Sequence, residues 1–138
     1  MNSIILNWAV GKNSDKAEES ELLDSSAREI IWFNILDFLK QLEKPWAIDP
    51  DNLTYRQVAK VSNAKAHFEN GGWMDPSDVR GFVCDTHKRS SPNDKRIVLE
   101  GRNRLVAALQ LGEIYAPISV PLDIVDKLKS TIELRNSS

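Results

Sequence analysis

One stretch constrains this chain more than any other: Ile97-Val98-Leu99-Glu100-Gly101-Arg102-Asn103-Arg104-Leu105-Val106-Ala107-Ala108-Leu109-Gln110-Leu111-Gly112. An apolar run of strand character meets a glycine, and a small-residue helical run follows at once. The order predicts a strand over Arg96–Leu99, a tight turn, a helix over Leu105–Leu111 closed by Gly112, and a second strand over Pro117–Val120. Glycine lets the backbone turn sharply and approach a ligand closely. The first amides of a helix have no intrahelical partners, and that end carries partial positive charge, so an anion is favoured there. Arg102 and Arg104 add full charges and bidentate donors suited to phosphate. The turn Gly101-Arg102-Asn103-Arg104 is therefore expected to hold a phosphate group. Ala107 and Ala108 allow the helix to pack closely on a sheet.

Charge is unevenly placed around this turn. Residues 1–79 carry 8 basic and 13 acidic side chains, a balance of −5. Residues 80–104 carry 7 and 3, a balance of +4, and residues 105–138 carry 3 and 4, a balance of −1. The net charge of −2 argues against a protein that coats nucleic acid by charge alone. A basic island on an acidic chain reads either as a local anion site or as a solvated hairpin.

The 138 residues are 41% hydrophobic and 28% charged, enough apolar material for one core. No apolar run approaches the roughly 20 residues of a membrane span. The start, Met1–Leu6, lacks the features of a signal peptide, so a cytoplasmic location is expected. The single cysteine, Cys84, leaves no internal disulfide and no Cys-rich zinc framework.

Upstream, residues 1–20 read as a flexible arm or an edge strand, with Ile4–Leu6 and Trp8 apolar. Residues 21–138 read as one domain. A helix is expected from Asp24 or Ser25 to about residue 43, because Ala27, Ile30, Ile31, Asn34, Ile35, Phe38 and Leu42 recur at helical spacing. Its wide apolar face reads as buried or as a homodimer or partner interface. Trp46–Ile48 reads as a short strand and Asp49–Asn52 as a turn. Thr54 caps a helix over Tyr55–Val61, a second piece covers Ser62–Glu69, and Asn70-Gly71-Gly72 ends it. Asp75-Pro76 reads as a turn, Phe82–Asp85 as a strand, Ser90–Asp94 as a hairpin loop, and Leu122–Leu134 as a last helix.

Several side chains are candidates for chemistry beside the turn. Glu100 can serve as a general base or metal ligand, or can simply orient Arg102 or Arg104. Asp85 and His87 sit on the expected strand antiparallel to Arg96–Leu99. An Asp-x-His pair points to one strand face, so these two and Glu100 form a candidate divalent site. Trp73 can stack on a base or pack after the Gly-Gly turn. Lys88, Arg89, Lys95 and Arg96 can track a nucleic-acid backbone, or keep an exposed hairpin soluble.

Glu100-Gly101-Arg102-Asn103-Arg104-Leu105, with Ala107-Ala108, Leu111-Gly112 and Pro117–Val120, resembles the ParB/sulfiredoxin superfamily over roughly residues 78–122. The resemblance implies an α+β fold, a small mixed sheet with flanking helices, here with an added N-terminal helix. Sulfiredoxins carry their catalytic cysteine after the turn glycine; Arg102 stands there, so that chemistry is not implied. ParB clamps bind a nucleoside triphosphate through Gly-Glu-Arg-Arg, which Gly101 and Arg104 match and Arg102 and Asn103 do not. The nuclease-like branch often carries Asp-Gly-His-His-Arg, which Glu100, Gly101 and Arg104 fit conservatively without the two histidines. No helix-turn-helix domain is expected after the turn region. The implied function is a domain acting on DNA or a nucleotide such as ATP or CTP, as a metal-assisted nuclease or nucleoside-triphosphatase. Glu100, with Asp85, would hold Mg2+, and the setting would be plasmid or phage conflict. The alternative is a catalytically inactive domain of this type that binds or inhibits another protein.

Overall fold

Ile30-Ile31-Trp32-Phe33 is a run of β-branched and aromatic residues, and such residues fit a pleated, half-buried surface. In the computed structural model, which describes residues 6–10, 28–43, 47–82 and 97–135, they lie at the centre of strand β2, Arg28–Asn34. The helix expected over residues 24–43 is therefore wrong across 28–34. Of the described residues in that span, Ile35–Leu39 alone are helical (α1). Apolar residues are so dense here that both periods fit, and pairing with a distant strand decides between them. Ile31 and Phe33 point into the core while Ile30 is 37% exposed, the alternation of a strand. The wide helical apolar face expected on this segment is absent over residues 28–34, whose side chains alternate across a strand instead. Asn34 ends the strand and caps α1, its side chain accepting from the Asp37 amide at 2.9 Å.

The remaining elements are β1 (Asn7–Trp8), α2 (Tyr55–Glu69), β3 (Trp73–Met74), β4 (Ser77–Phe82), β5 (Ile97–Glu100), α3 (Arg102–Gln110), β6 (Tyr115–Pro121) and α4 (Val125–Thr131). The class is α+β. Four strands form a mixed sheet in the order β2-β6-β4-β5, with β6 antiparallel to β2 and parallel to β4, and β4 antiparallel to β5. β1 and β3 form a separate parallel pair, so the apolar start around Trp8 is an edge strand. Trp8 is buried and meets Phe68 edge to face at 5.1 Å.

The strand–turn–helix–strand order expected over Ile97–Val120 is present, with α3 starting at Arg102, three residues earlier than the apolar pattern indicates. The expected break between Val61 and Ser62 is absent: α2 is continuous. Thr54 and Gln57 form a reciprocal capping box at its start. The Asp49–Asn52 turn closes through Asn52 N–H to the Asp49 carbonyl at 3.0 Å, whereas Ala47 and Ile48 form no strand. Downstream of β6, Leu122–Ile124 is a 3-10 turn and α4 stops at Thr131, short of the expected Leu134. Residues 133–135 then run beside β2, where Asn34 N–H donates to the Glu133 carbonyl and Arg135 N–H to that of Trp32.

One face of the sheet presents Ile31, Phe33, Val79, Leu99, Ala116, Ile118 and Val120 to a single core, shared with α1, α2, α3 and α4. α3 packs on α2 and α1 through Leu105, Val106, Ala107 and Ala108, all fully buried. Among the described residues no helix is long and apolar enough to cross a membrane.

Phe33 is fully buried at the centre of this core. Phe33→Ala is expected to cost about 3–5 kcal/mol in urea unfolding, whereas on a peripheral helix it would cost far less. At the C-terminal edge, the Tyr115 hydroxyl donates to Glu133 Oε2 at 2.7 Å. That hydrogen bond, then desolvation, then the Glu133 charge raise the phenol above its ordinary 10.0. A raised folded value means the tie contributes fully below pH 10 and is lost as pH climbs through the folded value. The stability advantage of wild type over Tyr115→Phe should therefore shrink in alkaline unfolding titrations. A difference independent of pH would reject this role.

Candidate phosphate-binding turn

The turn is built by β5 running directly into α3. Gly101 is the N-cap of α3 at φ 98°, ψ 25°, a left-handed conformation that favours glycine, and no side chain caps the helix. A Cβ placed here would lie 2.9 Å from Ser77 Oγ and 3.3 Å from Arg104 Nη1. Ser77 is fully buried at the start of β4, and its hydroxyl donates to the Gly101 carbonyl at 2.7 Å. The Arg104 amide donates to the same carbonyl at 3.1 Å. Glycine is thus required twice, for its φ and for the approach of Ser77.

Both arginines of the turn reach backbone carbonyls. Arg104 Nη1 donates to Asp75 O at 3.2 Å and Pro76 O at 3.1 Å. Arg102 Nη1 donates to Ala47 O at 3.2 Å. They brace the turn against the segment before β4 and the segment before α2. The buried carboxamide oxygen of Asn103 has no hydrogen-bond partner among the described residues.

Glu100 is the last residue of β5, and Asp78 of β4 stands opposite it in register. The sequence reading places Asp85 near Glu100; of the strand expected at Phe82–Asp85 only Phe82 is described, as the last residue of β4, and residues 83–85 lie outside the described residues. Asp85, His87, Lys88, Arg89, Lys95 and Arg96 all lie outside the described residues. Glu100 Oε2 pairs with Arg80 Nε at 2.8 Å, and Arg80 Nε also meets Asp78 Oδ2 at 3.1 Å. Asp78 Oδ1 takes Arg28 Nη2 at 2.5 Å. Arg28 further donates to Ser119 Oγ at 2.8 Å and to the Val79 carbonyl. An ionic row therefore crosses the sheet face opposite the core, from Arg28 through Asp78 and Arg80 to Glu100.

Among the described residues no three His, Cys, Asp or Glu side chains group to hold a metal ion. Of the expected ligands Glu100, Asp85 and His87, only Glu100 is described, and one of its oxygens is shared with the Arg80 guanidinium.

Trp73 is 55% exposed. His67 Nε2 donates to its carbonyl at 2.7 Å, and a Cβ on Gly72 would strike the His67 ring at 2.6 Å. His67 is thus a brace for the turn that presents Trp73. Ser77, Asp78, Arg80 and Arg28 escape the sequence reading; the alternation Ser77-Asp78-Val79-Arg80 is the signal that finds the first three.

No model of a known family, no curated protein and no solved structure matches this chain.

Gly101→Ala should cost about 1–3 kcal/mol, since alanine must adopt a positive φ against Ser77. Adding Ser77→Ala removes the contact but not the backbone strain. Because Ser77→Ala also removes the hydrogen bond to the Gly101 carbonyl, chemical unfolding of both single variants and the double variant should show a double-variant cost smaller than the sum of the two singles; strict additivity would locate the whole cost in φ.

Proposed function

We propose that this chain is a ParB/sulfiredoxin-like domain that binds a phosphate of a nucleotide or of DNA at the Gly101–Arg104 turn. The reading is carried by one observation: a helix of nine residues starts on a left-handed, uncapped glycine, with Arg102 and Arg104 in its first turn. The first amides of α3 and the helix dipole favour an anion at that point. Both Arg104 bonds fall on Nη1, so two carbonyls fix the guanidinium while its fork keeps further N–H donors. The exposed Trp73 precedes the Asp75-Pro76 segment that Arg104 holds, and supplies a face for a base.

The binding is read as non-catalytic. Glu100 is committed to Arg80 rather than held ready as a base, and no step is assigned to Mg2+. Metal-assisted nuclease or nucleoside-triphosphatase activity is the competing reading. An inhibitor or protein-binding role is compatible with the same phosphate site.

Calorimetry with ATP, CTP and a short DNA duplex, with and without magnesium, tests this alongside turnover of labelled plasmid and nucleotide. Wild type should bind at least one probe without consuming it. Arg102→Ala/Arg104→Ala should bind about tenfold more weakly or worse, the loss of about one charge-assisted contact. Binding unchanged in the double variant, or no binding by wild type, would remove the turn from the function. Turnover that needs Glu100 would restore the enzymatic reading.

A further inference from the structure

We infer that Arg80 is a preformed oxyanion-binding residue on the sheet face opposite the core, distinct from the Gly101–Arg104 turn. Three observations carry this. Both of its ion pairs, to Asp78 Oδ2 at 3.1 Å and to Glu100 Oε2 at 2.8 Å, fall on Nε. The Nη1–Nη2 edge, the fork that matches a carboxylate or phosphate with two parallel bonds, has no partner among the described residues. The side chain is 42% exposed, whereas Asp78 beneath it is 11% exposed and is itself held by Arg28 at 13%.

Strand alternation sets Arg80 on the same face as Asp78, and the pairing turns irregular at its position. Val79 pairs with Leu99 and Gly81 with Val98, so Arg80 is the extra residue of a β-bulge in β4. Bulges re-aim a side chain at the cost of a ladder position. A solvated arginine needs neither a bulge nor two carboxylates on one nitrogen. The arrangement orders the guanidinium before any ligand arrives, which removes much of the side-chain entropy that binding otherwise costs. The two carboxylates neutralise Arg28 and Arg80 together, so the site selects a small oxyanion presented to the fork rather than a polyanion drawn by net charge. The chemistry shared by its ligands is a carboxylate or a phosphate group.

The test follows the side-chain Nε–H signal of Arg80, assigned through its own backbone, in 15N-arginine-labelled protein titrated separately with inorganic phosphate and with acetate. A saturable shift of that signal is expected with at least one of the two, and which one responds names the ligand class. Arg80→Lys keeps the charge but loses the fork; followed through the backbone amide of residue 80 in uniformly 15N-labelled protein, alongside the same amide in wild type, it should bind about tenfold more weakly. Arg102→Ala/Arg104→Ala should leave the Arg80 titration unchanged, which separates this site from the turn. No shift of the wild-type signal with either anion would overturn the inference, whether or not the variants fold. So would equal affinity in Arg80→Lys, or loss of the Arg80 response in the turn variant.

Discussion

Asp78 carries a negative charge at 8% exposure, and much of the sheet is arranged around it. A charge taken that far from water costs several kcal/mol unless it is paired and hydrogen-bonded. Its two oxygens are divided between Arg28 and Arg80, one to each. Arg28 belongs to β2, which is not paired with β4; it reaches across β6, bonding to Ser119 on the way. The strand order β2-β6-β4-β5 is thus the one that lets a guanidinium from the far edge settle on this carboxylate. A slip of one residue in β2 would send Arg28 to the core face and take its guanidinium from Asp78.

The same short segment serves both faces of the sheet. Ser77 and Asp78 are neighbours and so point oppositely. Ser77 turns inward to the Gly101 carbonyl, while Asp78 turns outward to the ionic row. Just before them, the carbonyls of Asp75 and Pro76 receive Arg104, and that of Trp73 receives His67. Residues 73–80 therefore fix the turn, the exposed tryptophan and the arginine fork relative to one another. The turn is rigid because of contacts made outside it.

What the chain discloses on reading depends on how local the cause is. The strand–glycine–helix–strand order is legible because each step is contiguous and glycine marks the bend. The capping box at Thr54 and Gln57 is legible for the same reason. β2 is not: Ile30–Phe33 satisfies helical and strand periods alike, and only pairing with β6 separates them. The face Arg80 takes can be read from its alternation with Asp78, but its bulge cannot, since a bulge is a property of two strands in register and not of either alone. The roles of Arg102 and Arg104 are half legible. Their charge near a helix start is written in the sequence, whereas the carbonyls of Ala47, Asp75 and Pro76 that hold them come from elsewhere in the chain.

The β2–β6 ladder joins residues 28–34 to residues 115–121. On a ribosome, β2 emerges and then waits while residues 35–114 are made before its ladder partner β6 follows. Meanwhile β4 and β5, close in sequence, can pair. Closing so long a loop is entropically slow, and contacts of this separation form late in folding. Until then Ile30–Phe33 is an unpaired, apolar strand with both edges open, the kind of segment that pairs with the wrong chain. The polar exit from this hazard is Arg28, which keeps the waiting strand charged and reaches its carboxylate only when the sheet closes.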